Sequence, residues 1–180
     1  MPEISAQLRI DAPADRVWEV IGPGFARIGE WACVIPASTP VPAPATTPGP
    51  AAGLPAAATM APVPGRVCTT GSRLLPQVSE LLVAYDPAGR TLTYQASGMP
   101  AFVTLARNTW TVIPDGERAC LVSLDAQFEA RGAAGLLARW VVALQSRRNA
   151  RLLQTDLRHY LSHGTPSPRK QRQLSRLRSP

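Results

Sequence analysis

The chain has 180 residues, a length typical of one domain, with 45% hydrophobic and 17% charged residues. These values indicate a globular fold and exclude an intrinsically disordered chain. The formal net charge is +7, but +5 of it follows residue 163, where five basic residues and no acid occur. The charge therefore predicts no specific nucleic-acid binding by the main part of the chain. Since no apolar run approaches about 18 residues, we expect no transmembrane segment.

The cysteines and the N-terminal residues indicate in which cellular compartment the protein folds. Cys33, Cys68 and Cys120 are odd in number and widely spaced, which favours reduced thiols over a disulfide framework. The first residues show neither the basic head nor the apolar core of a signal peptide. Together these features predict a cytoplasmic protein.

The first elements follow from periodicity. Apolar residues alternate with polar ones over 4–10, which predicts a half-buried strand. Pro13 then fits the first turn of a helix, where its missing N–H costs nothing. A second short helix is expected at Phe25–Ile28. Residues Trp31–Ile35 are predicted to form a strand.

A proline-rich segment follows. Residues 36–64 include nine prolines and show neither helical nor strand periodicity. Because proline removes backbone donors, we expect an extended insertion within one domain. A tolerated surface insertion and a lid over a binding site are both open readings of it.

The remainder predicts four or more strands and one long helix. Turn residues such as those at 86–89 separate the strand signals, and Arg118–Glu129 alternates cleanly between apolar and polar side chains. The longest helical pattern runs from Ala133 to about Ser162. The order of strand, short helices, antiparallel strands and long helix predicts an α+β fold. Strand signals lie at Arg66–Thr70, Val78–Tyr85, Thr91–Ser97, Phe102–Ile113 and Arg118–Glu129.

Several short segments, taken in this order and spacing, resemble the START/Bet v 1-like (SRPBCC) superfamily and in particular its polyketide cyclase/dehydrase-like members. The resemblance covers roughly residues 3–163. The segments that carry it are Ile10-Asp11-Ala12-Pro13, Val17-Trp18, Gly29-Glu30-Trp31, Gly65-Arg66-Val67-Cys68, Ser79-Glu80-Leu81, Asp86, Leu92-Thr93-Tyr94, Pro100, Trp110-Thr111-Val112-Ile113-Pro114 and Gly116.

The resemblance implies a helix-grip fold, in which a curved antiparallel sheet wraps around a long C-terminal helix and two short helices follow strand 1. It also implies a cavity that binds lipids, sterols, hormones or polyketides, in which some members catalyse cyclisation or dehydration. We therefore expect a helix-grip domain at 1–163, with the insertion at 36–64, and a basic disordered tail at 164–180. Weak contact of this tail with a polyanion or a membrane surface is an alternative to a purely solvated end.

Polar candidates for a binding site lie on the predicted strands. Glu80 adjoins apolar residues and, if it faces inward, needs a partner, since an unpaired buried carboxylate is costly. Arg66 on the preceding strand is the natural partner, in a structural pair or as part of a polar anchor. Tyr94 could donate its hydroxyl to a ligand, and Asn108 could hydrogen-bond a keto group.

The aromatic candidates are core residues, some of which would line a cavity if one exists. They are Trp31, Phe102, Trp110 and Phe128. His159 and His163 have the spacing of a metal pair but no obvious further ligand, so no metal is expected. We find no dinucleotide or phosphate-binding motif, so no cofactor is expected and no catalytic residue is assigned.

Three hypotheses remain. The first is a module that binds a hydrophobic small molecule, polyketide-like or lipid-like, and that carries it without chemistry. The second is a cofactor-free cyclase, aromatase or dehydratase that uses the same polar groups. The third is an interaction protein with a filled core and a functional basic tail. The sequence leaves the ligand and the oligomeric state undetermined.

Overall fold

The computed structural model describes residues 3–42, 60–73 and 75–178, excluding the side chains of residues 3, 4, 133–147 and 178. Its strands are β1 (Glu3–Ile10), β2 (Ala37–Pro40), β3 (Gly65–Thr69), β4 (Gln77–Asp86), β5 (Thr91–Ser97), β6 (Val103–Pro114) and β7 (Cys120–Ala130). Its helices are α1 (Ala14–Ile21), α2 (Ile28–Trp31), α3 (Gly132–His163) and α4 (Pro168–Arg178), with a 3-10 turn at Phe25–Arg27. The predicted α+β helix-grip fold is confirmed. Most of the predicted insertion, residues 43–59, lies outside the described residues.

One antiparallel sheet, in the order β1-β7-β6-β5-β4-β3-β2, forms the body of the protein. β1 pairs along its whole length with β7, from Glu3 opposite Gln127 to Ile10 opposite Cys120. Register shifts interrupt the ladders in β4 and at the start of β6. Such irregularities bend strands, and they contribute to the curvature that gives the sheet a concave face.

The short helices close one end of this face. In α1, Val17, Trp18 and Ile21 are buried, as their helical spacing predicts. α2 lies so close to β2 that a Cβ atom on Gly29 would stand 2.5 Å from the backbone nitrogen of Ser38. Glycine is therefore required where these two elements touch.

The predicted strand at Trp31–Ile35 is wrong. Trp31 ends α2, where the amide of Ala32 bonds the carbonyl of Ile28 at 2.9 Å, and the strand begins only at Ala37. The physical reason is that segment 32–36 finds its hydrogen-bond partners in helices instead of in a neighbouring strand. We call this stretch the wall loop.

The helix α3 crosses the concave face and contacts β1 and β7. Leu157 and Leu161 in its C-terminal half are buried in the core. The helix ends at Gly164, whose φ of 68° lies in the left-handed region that glycine adopts without strain.

The expectation of a disordered tail does not match the structure, because residues 168–178 form α4. Lys170 on this helix is fully buried. Its ammonium donates to the carbonyls of Ile35 at 2.7 Å and Pro36 at 3.0 Å, and to Gln173 Oε1 at 3.0 Å. A buried ammonium that finds three acceptors anchors the helix. Weak contact of the tail with a polyanion stays a prediction.

A buried carboxylate completes this junction. Asp156 of α3 accepts a hydrogen bond from the hydroxyl of Ser167 at 2.6 Å and another from the backbone amide of Cys33 at 2.7 Å. Gln173 donates to the carbonyl of Cys33 at 3.1 Å. We call Asp156, Ser167, Lys170 and Gln173 the junction cluster; it joins α3 and α4 to the wall loop.

Candidate functional site

A cavity of about 210 Å³ lies between the concave face of the sheet and α3. Its apolar lining comes from the wall loop, from two outer strands and from the helix. The residues are Val34 and Ile35, Ala6 of β1, Leu124 and Ala126 of β7, and Ala150 and Leu153 of α3. The small side chains among them leave the space open, because alanine cannot reach across from sheet to helix.

The polar lining is concentrated elsewhere in the cavity. Glu80, Tyr94 and Asn108 line it from the adjacent strands β4, β5 and β6, and Asn149 lines it from α3. Tyr94 is paired in register with Asn108. It also pairs with Leu82, two residues from Glu80 on the same face. The register therefore brings three of the predicted polar residues into one patch.

Glu80 forms an ion pair with Arg66. The guanidinium Nε lies 2.6 Å from Glu80 Oε2, with Arg66 3% exposed and Glu80 12% exposed. The two residues face each other directly in the register of β3 and β4. Arg66 does not line the cavity described here; it lies behind Glu80 and neutralises its charge. We call these two residues the cavity pair.

Arg66 is held by more than its ion pair. Its Nη1 donates to the carbonyl of Phe25 at 2.5 Å. Its Cζ lies 3.9 Å from the centre of the Phe25 ring and 5.2 Å from that of Tyr94. These cation–π contacts favour the charged guanidinium. Burial is the largest single influence and acts to lower the pKa of Arg66, but the Glu80 carboxylate together with Tyr94 and Cys68 outweighs it, so the pKa is raised.

The neighbouring Cys68 thiol donates a hydrogen bond and is not a nucleophile. It lies 3.6 Å from Glu80 Oε2, so two donors converge on that oxygen. Burial, reinforced by the Glu80 charge, raises the pKa of Cys68 to about 12. Since the reactive form of cysteine is the thiolate, the raised pKa keeps this residue in the less reactive thiol form.

Tyr94 keeps its proton for a similar reason. Burial, followed by the charge of Glu80, raises the pKa of its phenol. The ring packs on Phe25 with 5.4 Å between centroids. Tyr94 therefore remains a neutral hydroxyl at the boundary between the core and the cavity.

Asn108 differs from its neighbours because its side-chain amide has no hydrogen-bond partner among the described residues. The residue is only partly buried, and it lines the cavity. A polar group that is unsatisfied within the protein is expected to bond water or a ligand. Asn108 thus offers the cavity both a donor and an acceptor.

The aromatic candidates do not join this patch. Trp31 is buried and stacks on Tyr160 with 6.5 Å between ring centres. Trp110 is buried beside Tyr94 and Arg66, at a void of about 10 Å³. Phe102 precedes β6. Phe128 lies on β7, opposite Ala106 of β6. None of these four is among the described residues that line the cavity.

The two histidines are stacked, with 4.2 Å between the ring centres of His159 and His163. His163 Nδ1 lies 3.0 Å from the His159 carbonyl. In the described part of the chain, no group of three or more histidine, cysteine or acidic side chains is placed to hold a metal ion.

Sequence reasoning missed the wall loop and part of α3. The sequence pattern places Val34 and Ile35 in a strand and gives no signal for Asn149. Ala150 belongs to a side of the long helix with small residues, which is consistent with a helix that borders a space. No sequence signal identified Lys170 as the residue that holds the carbonyl of Ile35.

The chain can now be compared with known proteins. Residues 1–158 match the model of the family described as polyketide cyclase / dehydrase and lipid transport. The chain belongs to this family. No curated protein matches it significantly. Among the described residues, no helix is both long and apolar enough to cross a bilayer.

Solved structures resemble this polyketide cyclase/dehydrase family member in fold. An aromatase/cyclase from a Streptomyces species is 14% identical with a TM-score of 0.63, covering 92% of this chain and 99% of that one. Truncated norcoclaurine synthase from Thalictrum flavum is 15% identical with a TM-score of 0.60, covering 90% and 93%. The protein XoxI from Bacillus cereus is 20% identical with a TM-score of 0.60, covering 86% and 94%. At these identities the likeness shows the fold alone.

Proposed function

We propose that the protein binds a small hydrophobic molecule in the cavity between the sheet and α3. The observation that carries this proposal is the cavity of about 210 Å³ with an apolar lining and one polar patch. A space of this size argues against a filled core. Membership of a family described by polyketide cyclases and lipid transport supports the same conclusion.

The volume bounds the size of the ligand. An engineered apolar cavity of about 150 Å³ accommodates benzene, whereas drug-sized ligands occupy about 300–1,000 Å³. A cavity of about 210 Å³ therefore suits one or two fused rings or a short branched chain. The apolar lining supplies affinity in proportion to the buried area, and the polar patch orients the molecule.

A cavity-filling variant tests this proposal. Ala150→Leu places a larger side chain into the cavity from α3, while Ala88→Leu adds the same volume at an exposed turn position. We expect Ala150→Leu to weaken the binding of naphthol at least about tenfold and Ala88→Leu to leave it unchanged, measured by titration calorimetry. Native mass spectrometry of the purified wild type should also detect a bound small molecule.

If the wild type binds neither naphthol nor methylnaphthalene, the cavity is not a ligand site for molecules of this size. If Ala150→Leu binds both as well as the wild type does, the ligand lies elsewhere.

A second candidate function is a cofactor-free cyclase or dehydratase. It is favoured by the presence of a carboxylate and an amide, from Glu80 and Asn108, in one cavity. A carboxylate can remove a proton next to a carbonyl, and an amide can hold the carbonyl oxygen. Turnover of a poly-keto thioester by the wild type, lost in Glu80→Gln with binding retained, would distinguish an enzyme from a carrier.

We also propose a cytoplasmic location. It rests on the three cysteines Cys33, Cys68 and Cys120, which are all free thiols in the structure.

A further inference from the structure

Among the cavity-lining residues that the structure describes, Glu80 is the only aspartate, glutamate, lysine, arginine or histidine. Its partner Arg66 is 3% exposed and points its donors at Glu80 Oε2 and at the carbonyl of Phe25. A molecule in the cavity therefore meets a carboxylate that accepts hydrogen bonds, while the guanidinium is occupied behind it.

This asymmetry discriminates among ligands by charge. An ionised carboxylate on the ligand would lie against Glu80 in a space of low dielectric, where like charges repel strongly. A full cation would gain less than at an isolated carboxylate, because Arg66 already neutralises Glu80 at 2.6 Å. A neutral hydroxyl meets neither penalty and forms a charge-assisted hydrogen bond.

A second anchor lies two strands away. The Asn108 amide has no partner among the described residues, and Tyr94 lies between Asn108 and Glu80 in the sheet order. The polar patch therefore accepts a hydrogen bond at one end and offers both donor and acceptor at the other.

We propose that the cavity selects neutral hydroxylated ring compounds, with a hydroxyl donated to Glu80, and that it rejects carboxylic acids of the same size. This inference rests on the proposed function and specifies its ligand class.

A matched ligand series tests it on the wild-type full chain. Naphthol, naphthoate and methylnaphthalene, substituted at the same ring position, have similar shapes but carry a hydroxyl, a carboxylate and a methyl group. At pH 7 the naphthol is neutral and the naphthoate is ionised. We expect naphthol to bind at least about tenfold more tightly than either of the others in titration calorimetry, as a hydrogen bond to a charged group predicts.

A variant assigns the effect to Glu80. Glutamine still accepts a hydrogen bond and can also donate one to naphthoate, so Glu80→Gln should reduce the naphthol-to-naphthoate preference at least about tenfold. Glu117→Gln, at an exposed turn, is the matched control and should retain the preference. Since Glu80→Gln leaves Arg66 without its charged partner, Arg66→Met/Glu80→Gln provides a second variant with the same expected loss of preference.

The outcomes separate the two claims. If methylnaphthalene or naphthoate binds the wild type as tightly as naphthol does, the ligand class is wrong while the binding cavity stands. If the preference persists unchanged in both Glu80 variants, Glu80 is not its source and the inference is overturned. If none of the three compounds binds, the proposed function fails and the inference fails with it.

Discussion

The molecule buries charged side chains in two places. One of them borders a cavity, and the other is enclosed by protein. In the cavity pair, Arg66 and Glu80, the Glu80 side chain lines the cavity of about 210 Å³. The junction cluster is enclosed by protein. The Lys170 ammonium in it donates hydrogen bonds to two backbone carbonyls and one side chain. Buried charge therefore indicates a binding site only where one partner remains accessible to a cavity.

The two clusters nevertheless act on the same space. Ile35 lines the cavity with its side chain while Lys170 holds its carbonyl at 2.7 Å. Glu80 contacts the cavity contents directly, whereas Lys170 acts through the position of the wall loop. Variants in the two clusters should therefore differ in whether they change ligand selectivity or only stability.

The largest effect is expected from breaking the cavity pair. Glu80→Leu leaves the Arg66 guanidinium buried without its counter-ion, which should lower the free energy of unfolding by about 3–5 kcal/mol. Arg66→Met/Glu80→Leu removes both charges and should recover most of this loss. Urea denaturation of both variants measures it; equal stability of the single and double variants would mean that the pair is not coupled as described.

The next effect is expected at the junction cluster. Lys170→Met leaves the carbonyls of Ile35 and Pro36 without their donor and should cost about 1–3 kcal/mol of unfolding free energy. Arg172→Met, at an exposed position of α4, is the control and should be nearly neutral. The naphthol-to-naphthoate preference should stay unchanged in Lys170→Met, and a shift toward naphthoate would contradict the division between the two clusters.

A smaller effect on stability, with a clear effect on binding, is expected at Asn108. Its amide has no partner among the described residues, so Asn108→Leu removes a polar group that none of those residues satisfies. The free energy of unfolding should be unchanged within about 0.5 kcal/mol or should rise, while naphthol binds roughly tenfold more weakly. A large loss of stability would show that Asn108 belongs to the structural core instead.

A pH dependence of stability is also expected at the junction cluster. Burial lowers the pKa of Lys170 from 10.5 to about 8. Between these values the unfolded chain binds more protons at this group than the folded protein does, so its contribution to stability rises with pH from about 8 to 10.5 and falls as the pH drops toward 8. The difference in unfolding free energy between wild type and Lys170→Met should therefore grow between pH 8 and 10; a constant or shrinking difference would refute the lowered pKa.

Local sequence patterns predicted most helices and strands, because these elements depend on residues close together in the chain. The alternation in 4–10 and 118–129 and the turn residues at 86–89 recur as β1, β7 and the β4–β5 turn. The candidate pairing of Arg66 with Glu80 followed from their adjacent strands and the cost of an unpaired carboxylate. The wall loop was mistaken for a strand because its apolar residues have strand-like composition, while the side chains that bond Cys33 and Ile35 lie more than 100 residues away.

The sequence by itself determined the fold class, most of the elements and the polar residues of the sheet, since periodicity and turn chemistry depend on neighbouring residues. Only the tertiary structure decided which of these residues share the cavity, because that depends on how α3 and the wall loop pack across five strands. It also decided that the basic C-terminal segment folds as a helix. A single buried lysine finds acceptors there that exist only once distant parts of the chain have come together.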